Sequence, residues 1–278
     1  MRLAAIMLLF RERNFVEASV RAIYPVVDAI VCTSRHDRNF SGEPVATDDS
    51  IGKLLAVPDP DNKIKLTVQR DLSPFPGLNT EAQLRNAAMA LEPKADYYLI
   101  VDTDEIWPED VLRRCWDEVQ RTKWAAYRVS SYTYFRKWNY RIVEPGDGYR
   151  PLVFLRRGFF FKQDRQIEWH GPARRGEYLR TFRKPKTLFF PPELRMHHGS
   201  SVGDDERILT KINNYGHKDG IDPDWFERVW KNFNPSMRNF HYFRQGAHLY
   251  ESIDVIPPAQ LPAEITHCPW PDGWIERS

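Results

Sequence analysis

Cysteine is scarce in this chain of 278 residues. The three present, Cys32, Cys115 and Cys268, are far apart and form no C-x-x-C pair. That pattern excludes a disulfide framework or a zinc cluster as the organising device and is what a reducing compartment allows. Long apolar runs are lacking too. The longest at the start, residues 3–10, is less than half of the roughly 20 residues that a bilayer-spanning helix needs. No small-residue cleavage site follows it, so the expectation is a cytoplasmic chain without a transmembrane segment, any anchor being peripheral. There is no internal repeat, no low-complexity stretch and little net charge, 40 basic residues standing against 38 acidic ones for a total of +2. With 42% hydrophobic and 28% charged residues, the composition is that of an ordinary globular protein and excludes disorder.

What is present is an alternation of strand and helix signals. Residues 3–10 are apolar at every position, the pattern of a strand covered on both faces in a parallel sheet. Phe15, Ala18, Val20, Ala22 and Ile23 then space a helical stripe over residues 14–24, and Pro25 ends it. Strands are predicted over 26–32, 64–68 and 97–101, with a helix over 81–91 stopped by Pro93. Such alternation calls for a doubly wound, mostly parallel α/β sheet, whose ligands bind beyond the carboxyl ends of the strands. The second half is richer in aromatic residues, with strands predicted over 125–138, 150–161 and 187–190 and helices over 204–217 and 223–233. A soft boundary falls near residue 122, dividing a nucleotide-binding half (1–122) from an acceptor-binding half with C-terminal helices (123–278), both within one domain. The Pro-rich tail after Ile256 reads as a wrapped, irregular segment.

Three carboxylates, Asp102, Asp104 and Glu105, emerge together directly after the apolar run Tyr97-Tyr98-Leu99-Ile100-Val101. Crowded like charges destabilise one another unless a cation compensates, and hard oxygen donors suit Mg²⁺ or Mn²⁺ with a diphosphate completing the shell. A bare D-x-D is more often a solvated turn or a helix cap, here ahead of Pro108-Glu109-Asp110. The surroundings favour the metal reading. Arg85-Asn86-Ala87-Ala88-Met89-Ala90-Leu91 followed by Ala95-Asp96 and the acidic strand resembles the R-N-x-A…D-x-D-E block of family 2-like glycosyltransferases, which have the GT-A fold. The opening Phe10-Arg11-Glu12-Arg13-Asn14-Phe15-Val16 and the approach Tyr24-Pro25-Val26-Val27-Asp28 are similar to that family's first turn, helix and second strand. Met196-His197-His198-Gly199-Ser200, Lys211 and Tyr215-Gly216-His217 resemble the H-x-S…K…Y-x-H pattern of bacterial and viral members. The resemblance spans residues 3–218.

The resemblance implies a metal-dependent transferase that uses a nucleotide-diphosphate sugar, a UDP-sugar in the first instance. Asp104 would ligate Mn²⁺ or Mg²⁺, Asp102 would support the metal or the ribose, and His198, preferred over His197, would add a further ligand. Glu12, Asp37, Arg85, Asp102 and Lys211 are the residues placed around the nucleotide. Typical members carry Asn-Glu where this chain has Arg11-Glu12, and their acidic, Ser/Thr-rich turn is replaced by Thr33-Ser34-Arg35-His36-Asp37, which leaves Asp37 as the candidate for base recognition. Glu168, with His170 next, is the candidate general base, since Glu168-Trp169-His170-Gly171 occupies the place where related sugar transferases carry a His-Glu pair; the alternative is a strand-end pair on the surface.

Charge is segregated. Residues 150–186 hold eleven basic residues against three acidic ones, a net of +8 in a chain of +2, interleaved with aromatic residues. Such a segment can bind phosphates and stack bases; the plain alternative is a solvated basic face. The acceptor expected is therefore polyanionic, DNA with a hydroxymethylated base being the favoured form, as in viral DNA-modifying members acting in a host cytoplasm; an anionic glycan such as a lipopolysaccharide core is the runner-up. A nucleotidyltransferase is the alternative from another class, but Phe10-Arg11-Glu12-Arg13 contains no glycine to cradle phosphates. A catalytically silent nucleotide-sugar-binding protein is the third reading, disfavoured by the retained Asp102, Asp104 and Glu105.

Overall fold

The computed structural model describes residues 1–35, 37–39, 43–69, 79–143, 146, 148–163, 165–169, 186–214, 220–244 and 249–276, the side chains of Glu168 and Trp169 excepted. The chain divides into two compact units, one of residues 1–103, 109–129 and 151–194, the other of residues 104–108, 130–150 and 195–278. The boundary expected near residue 122 therefore lies inside the first unit. The chain passes between units five times instead, because each unit assembles its sheet from distant stretches.

The first unit is mixed α/β with a mostly parallel central sheet, as expected from the sequence. Its elements run β1 (Leu3–Leu9), α1 (Val16–Ile23), β2 (Ala29–Ser34), α2 (Ser50–Leu55), β3 (Ile64–Val68), α3 (Thr80–Ala90) and β4 (Tyr97–Asp102), with β5 (Glu105–Ile106) in the other unit before α4 (Glu109–Thr122) and β6 (Ala126–Arg128). After β7 (Ser130–Ile142), also in the other unit, come β8 (Leu152–Arg156), the hairpin β9 (Phe159–Gln163) and β10 (Gln166–Trp169), and β11 (Thr187–Phe189). The seven-stranded sheet is ordered β11-β6-β8-β4-β1-β2-β3. β1 is buried at every position because it is flanked in parallel by β2 and β4; only β8 runs antiparallel to its neighbours. Chain order reverses at β1 and β4, where Leu8 pairs with Asp102. This is the switch point at which a doubly wound sheet opens a crevice.

Two predicted strands are broken. Residues 125–138 become β6 and β7, which belong to different sheets, parting at Val129, whose N–H donates to the Pro151 carbonyl. Residues 150–161 become β8 and β9 around Gly158, whose φ of 99° lies where an L side chain is strained. The helix predicted over 223–233 is confined to a π-helical turn, Phe226–Trp230. α4 was not foreseen as a helix, although Leu112, Cys115 and Val119 bury one face of it at helical spacing.

The second unit holds a four-stranded sheet ordered β13-β7-β12-β5, with β12 (Arg195–Val202) parallel to β7 and β13 (Ile253–Val255) antiparallel to it. α5 (Asp205–Asn214) follows β12, and α6 (Ala263–Thr266) lies in the tail expected to be irregular. Its core is aromatic: Phe135 of β7 sits within 4.7 to 6.3 Å, centroid to centroid, of Trp225, Trp230, Phe233, Phe240 and Tyr250. Each fully buried ring contributes roughly 1.5–3 kcal/mol.

Candidate functional site

Asp102 closes β4 at the switch point of the first unit. Arg85, on α3 and only 1% exposed, donates from Nη2 to Asp102 Oδ1 at 2.9 Å. Arg165, in the turn between β9 and β10, places Nη2 2.9 Å from Asp102 Oδ2, and its Nη1 donates to the Leu152 carbonyl at 3.2 Å. Burial alone would raise the Asp102 carboxyl, but the two guanidinium groups outweigh it and hold the group well below the usual carboxylate range. Asn86, next on α3, uses its amide as a strand would: Nδ2 donates to the Phe161 carbonyl and Oδ1 accepts from the Phe161 N–H, both at 2.8 Å. The Arg-Asn dipeptide thus ties α3 to β4 with one residue and to β9 with the next.

The other expected nucleotide residues of this unit contribute backbone contacts. The Glu12 N–H donates to Ser50 Oγ at 3.0 Å and its carbonyl accepts from Phe15 and Val16, which opens α1. Arg11 before it is left-handed at φ 52°, a strained conformation of the kind that clusters at functional turns. Asp37 is exposed beyond β2, and its carbonyl accepts from Val45. Glu168 lies on β10, its backbone opposite Phe160; its side chain and the whole of His170 lie outside the described residues.

Asp104 belongs to the second unit. Lys211, on α5, donates from Nζ to Asp104 Oδ2 at 2.7 Å, and Arg207 Nη2 stands 3.7 Å from the same oxygen. Arg207 Nη1 is anchored on the Ser200 and Val202 carbonyls. His198 Nε2 faces the other oxygen, Oδ1, at 3.9 Å. The pairing of β12 with β5 sets this up, since it puts His198 opposite Glu105 and His197 opposite Ile106. Neighbouring side chains on a strand point to opposite faces, and the two histidines part accordingly. His198 stacks on Tyr149 at 4.4 Å between centroids, and the Tyr149 hydroxyl donates to the fully buried Glu105 at 3.0 Å. His197 bonds through Nδ1 with the Tyr134 hydroxyl at 2.7 Å. Burial, with help from Arg141, pushes its pKa down to about 3, so it is a neutral packing group.

Lys211, one of the residues placed around the nucleotide, has its ammonium on Asp104 here. Cations of the chain itself lie against both carboxylates, a compensation the sequence reading had left to a metal. Among the described residues no group of three or more His, Cys, Asp or Glu side chains is gathered to hold a metal ion; of the expected Asp102, Asp104 and His198, Asp104 and His198 face each other at 3.9 Å. Arg165, Asn86, Tyr149 and Arg207 were not read from the sequence as site residues. Arg165 had been counted in the basic segment, from which its burial against Asp102 withdraws it. Arg174, Arg175, Arg180, Arg183 and Lys184 of that segment lie outside the described residues. Among the described residues no helix is long and apolar enough to cross a membrane.

No protein-family model matches the chain, and no curated protein matches it. Among solved structures it is distantly similar to a fragment of S. aureus TarS in complex with UDP-GlcNAc, at 14% identity over 48% of this chain and 35% of that one, with a TM-score of 0.35. It is similar to the same degree to glucosyl-3-phosphoglycerate synthase from Mycobacterium tuberculosis in complex with Mn²⁺, UDP-glucose and phosphoglyceric acid, at 15% identity over 48% of this chain and 44% of that one, TM-score 0.34. The chain thus spans less than half of these proteins, and likeness at this level carries no weight for activity.

Proposed function

We propose that the chain is a GT-A-type, metal-dependent glycosyltransferase that takes its sugar from a nucleotide-diphosphate sugar, a UDP-sugar in the first instance. The observation that carries this reading is the course of Asp102-Thr103-Asp104 off the carboxyl end of β4, with Asp104 Oδ1 facing His198 Nε2 at 3.9 Å. One carboxylate oxygen and one imidazole nitrogen suit a divalent ion that keeps its other positions for phosphate oxygens and water. Asp104 and His198 would hold Mn²⁺ or Mg²⁺, which when bound supplies Lewis-acid charge to a leaving diphosphate. Asp102, gripped by Arg85 and Arg165, fixes the strand end at the switch point, where the nucleotide is expected. Tyr149 holds the His198 ring by stacking, and Glu105 in turn holds the Tyr149 hydroxyl.

Glu168 is retained as general base, with His170 next, on the sequence argument. The acceptor proposed is a polyanion, with a hydroxymethylated base in DNA ahead of an anionic glycan; exposed Arg150, Arg156, Arg157, Lys162 and Lys186 support it among the described residues.

The test is calorimetric titration of UDP into the protein with Mn²⁺ and with EDTA. Affinity is expected to fall by at least tenfold in EDTA, and in Asp104→Ala even with Mn²⁺; equal affinity in all arms would overturn the metal role. Glu168→Gln is expected to abolish transfer to hydroxymethylated duplex DNA while leaving UDP affinity unchanged. Duplex binding that ignores salt would remove DNA as the acceptor, since phosphate contacts release counterions.

A further inference from the structure

The two oxygens of Asp104 have different surroundings. Oδ1 faces His198 Nε2, whereas Oδ2 accepts from Lys211 Nζ at 2.7 Å and lies 3.7 Å from Arg207. Arg207 is held in place by two backbone carbonyls, and its side chain is 7% exposed. Lys211 reaches Asp104 on a long flexible stem from α5 and is 24% exposed. A lysine ammonium is a compact point charge that can turn from one anion to another, which a guanidinium locked in a fork cannot do as readily.

We propose that Lys211 is a resident counter-cation that weakens the hold of Asp104 on a divalent ion in the free protein, so that ion and nucleoside diphosphate enter together. The inference rests on the reading of Asp104 and His198 as the metal pair. A positive charge at hydrogen-bond distance from a carboxylate opposes the approach of a second cation. Asp104 carries Lys211 on Oδ2 and faces His198 with Oδ1, so the protein's own contribution is one carboxylate and one imidazole. Mg²⁺ and its relatives seek about six, so an ion arriving alone is poorly held. A diphosphate brings the missing oxygens and the negative charge that Lys211 can meet in its turn. Lys211 thus serves Asp104 in the free chain and the donor in the complex, and it makes metal binding conditional on the donor.

The experiment follows free Mn²⁺ by electron paramagnetic resonance during titration of the full chain, with and without UDP, for the parent, Lys211→Met, Lys211→Gln and Lys211→Arg, with thermal melts recorded for each. The parent is expected to bind Mn²⁺ weakly alone and at least about tenfold more tightly with UDP. Lys211→Met and Lys211→Gln should bind Mn²⁺ alone about fivefold more tightly than the parent and lose most of the enhancement by UDP, while Lys211→Arg, which restores the charge, should return the parent's weak binding. If either neutral variant melts like the parent and binds Mn²⁺ alone no more tightly, the proposal is overturned while the metal pair stands. If no protein binds Mn²⁺ with or without UDP, the metal reading itself falls, and this proposal with it.

Discussion

Asp102 and Asp104 are two residues apart in one motif, yet the units to which they belong treat them differently. Asp102 is held on both oxygens by two arginines that come from a helix and from a hairpin turn, each 7% exposed or less. Asp104 is held on one oxygen by a lysine, with Arg207 standing 3.7 Å from that oxygen, while its other oxygen faces a histidine. Two planar guanidinium forks on rigid elements make a fixed joint. A lysine ammonium on a flexible stem, with a guanidinium at the longer distance of 3.7 Å, makes an exchangeable contact. The two carboxylates of a D-x-D motif therefore need not be equivalent: in this chain the first organises the strand end, and the second, under the proposed function, is the one that would meet a metal.

The largest effect that can break this comparison is on stability. Asp102→Asn leaves two buried guanidinium groups short of their carboxylate, and breaking a buried ion pair from one side costs about 3–5 kcal/mol. Asp104→Asn takes the anion from Lys211, which is 24% exposed and can turn to solvent, and from Arg207 at 3.7 Å, whose guanidinium keeps the Ser200 and Val202 carbonyls, and should cost less, about 1 kcal/mol. Urea melts of the two variants are expected to differ by at least about 2 kcal/mol, with Arg85→Lys falling between them because it keeps the charge and loses the fork. Equal losses for Asp102→Asn and Asp104→Asn would mean that the two carboxylates play the same part.

How far this was legible in the sequence depended on whether the signal was local. β1 and β3 could be read because each is a short run whose pattern matches its surroundings, and β3 falls on residues 64–68 as predicted. The place of Asp102 at the carboxyl end of a strand followed from the apolar run before it, whereas the switch point needed the strand order, which the sequence does not give. The clamp made by Asn86 on Phe161, 75 residues away, had no local trace beyond the Arg-Asn motif, which names the residues and says nothing of their partners. Arg165 was miscounted as surface charge because a tally of basic residues cannot separate a guanidinium in solvent from one buried against a carboxylate. The division of labour between His197 and His198 depended on the register of β12 against the two-residue strand β5, too short to leave a pattern. Residues 125–138 read as one strand because the alternation continues through Val129, where the chain changes sheets.

A third carboxylate sharpens the comparison with a smaller effect. Glu92, just past α3, is buried, with a side chain 5% exposed, but its partners Arg2 and Lys65 are 43% and 48% exposed. It inverts the arrangement at Asp102, whose side chain is 32% exposed against buried arginines: here the anion is buried and the cations are solvated, and they cannot form a fixed joint. Burial pushes its carboxyl up, but the hydrogen bonds and charges of Lys65 and Arg2 outweigh that and lower it below the ordinary value. As pH falls, the unfolded chain takes up this proton first. The stability due to the pairing is therefore complete above the ordinary glutamate value, near pH 4.3, and is lost as pH drops through the lower folded value. Glu92→Gln should cost about 1 kcal/mol at pH 7 because its partners are exposed, less than Asp102→Asn. The gap between parent and variant should narrow steadily below about pH 4, as thermal melts at pH 7, 5, 4 and 3 would show. A gap that stays constant across that range would assign the effect of Glu92 to packing and leave Asp102 as the carboxylate of this unit whose charge does structural work.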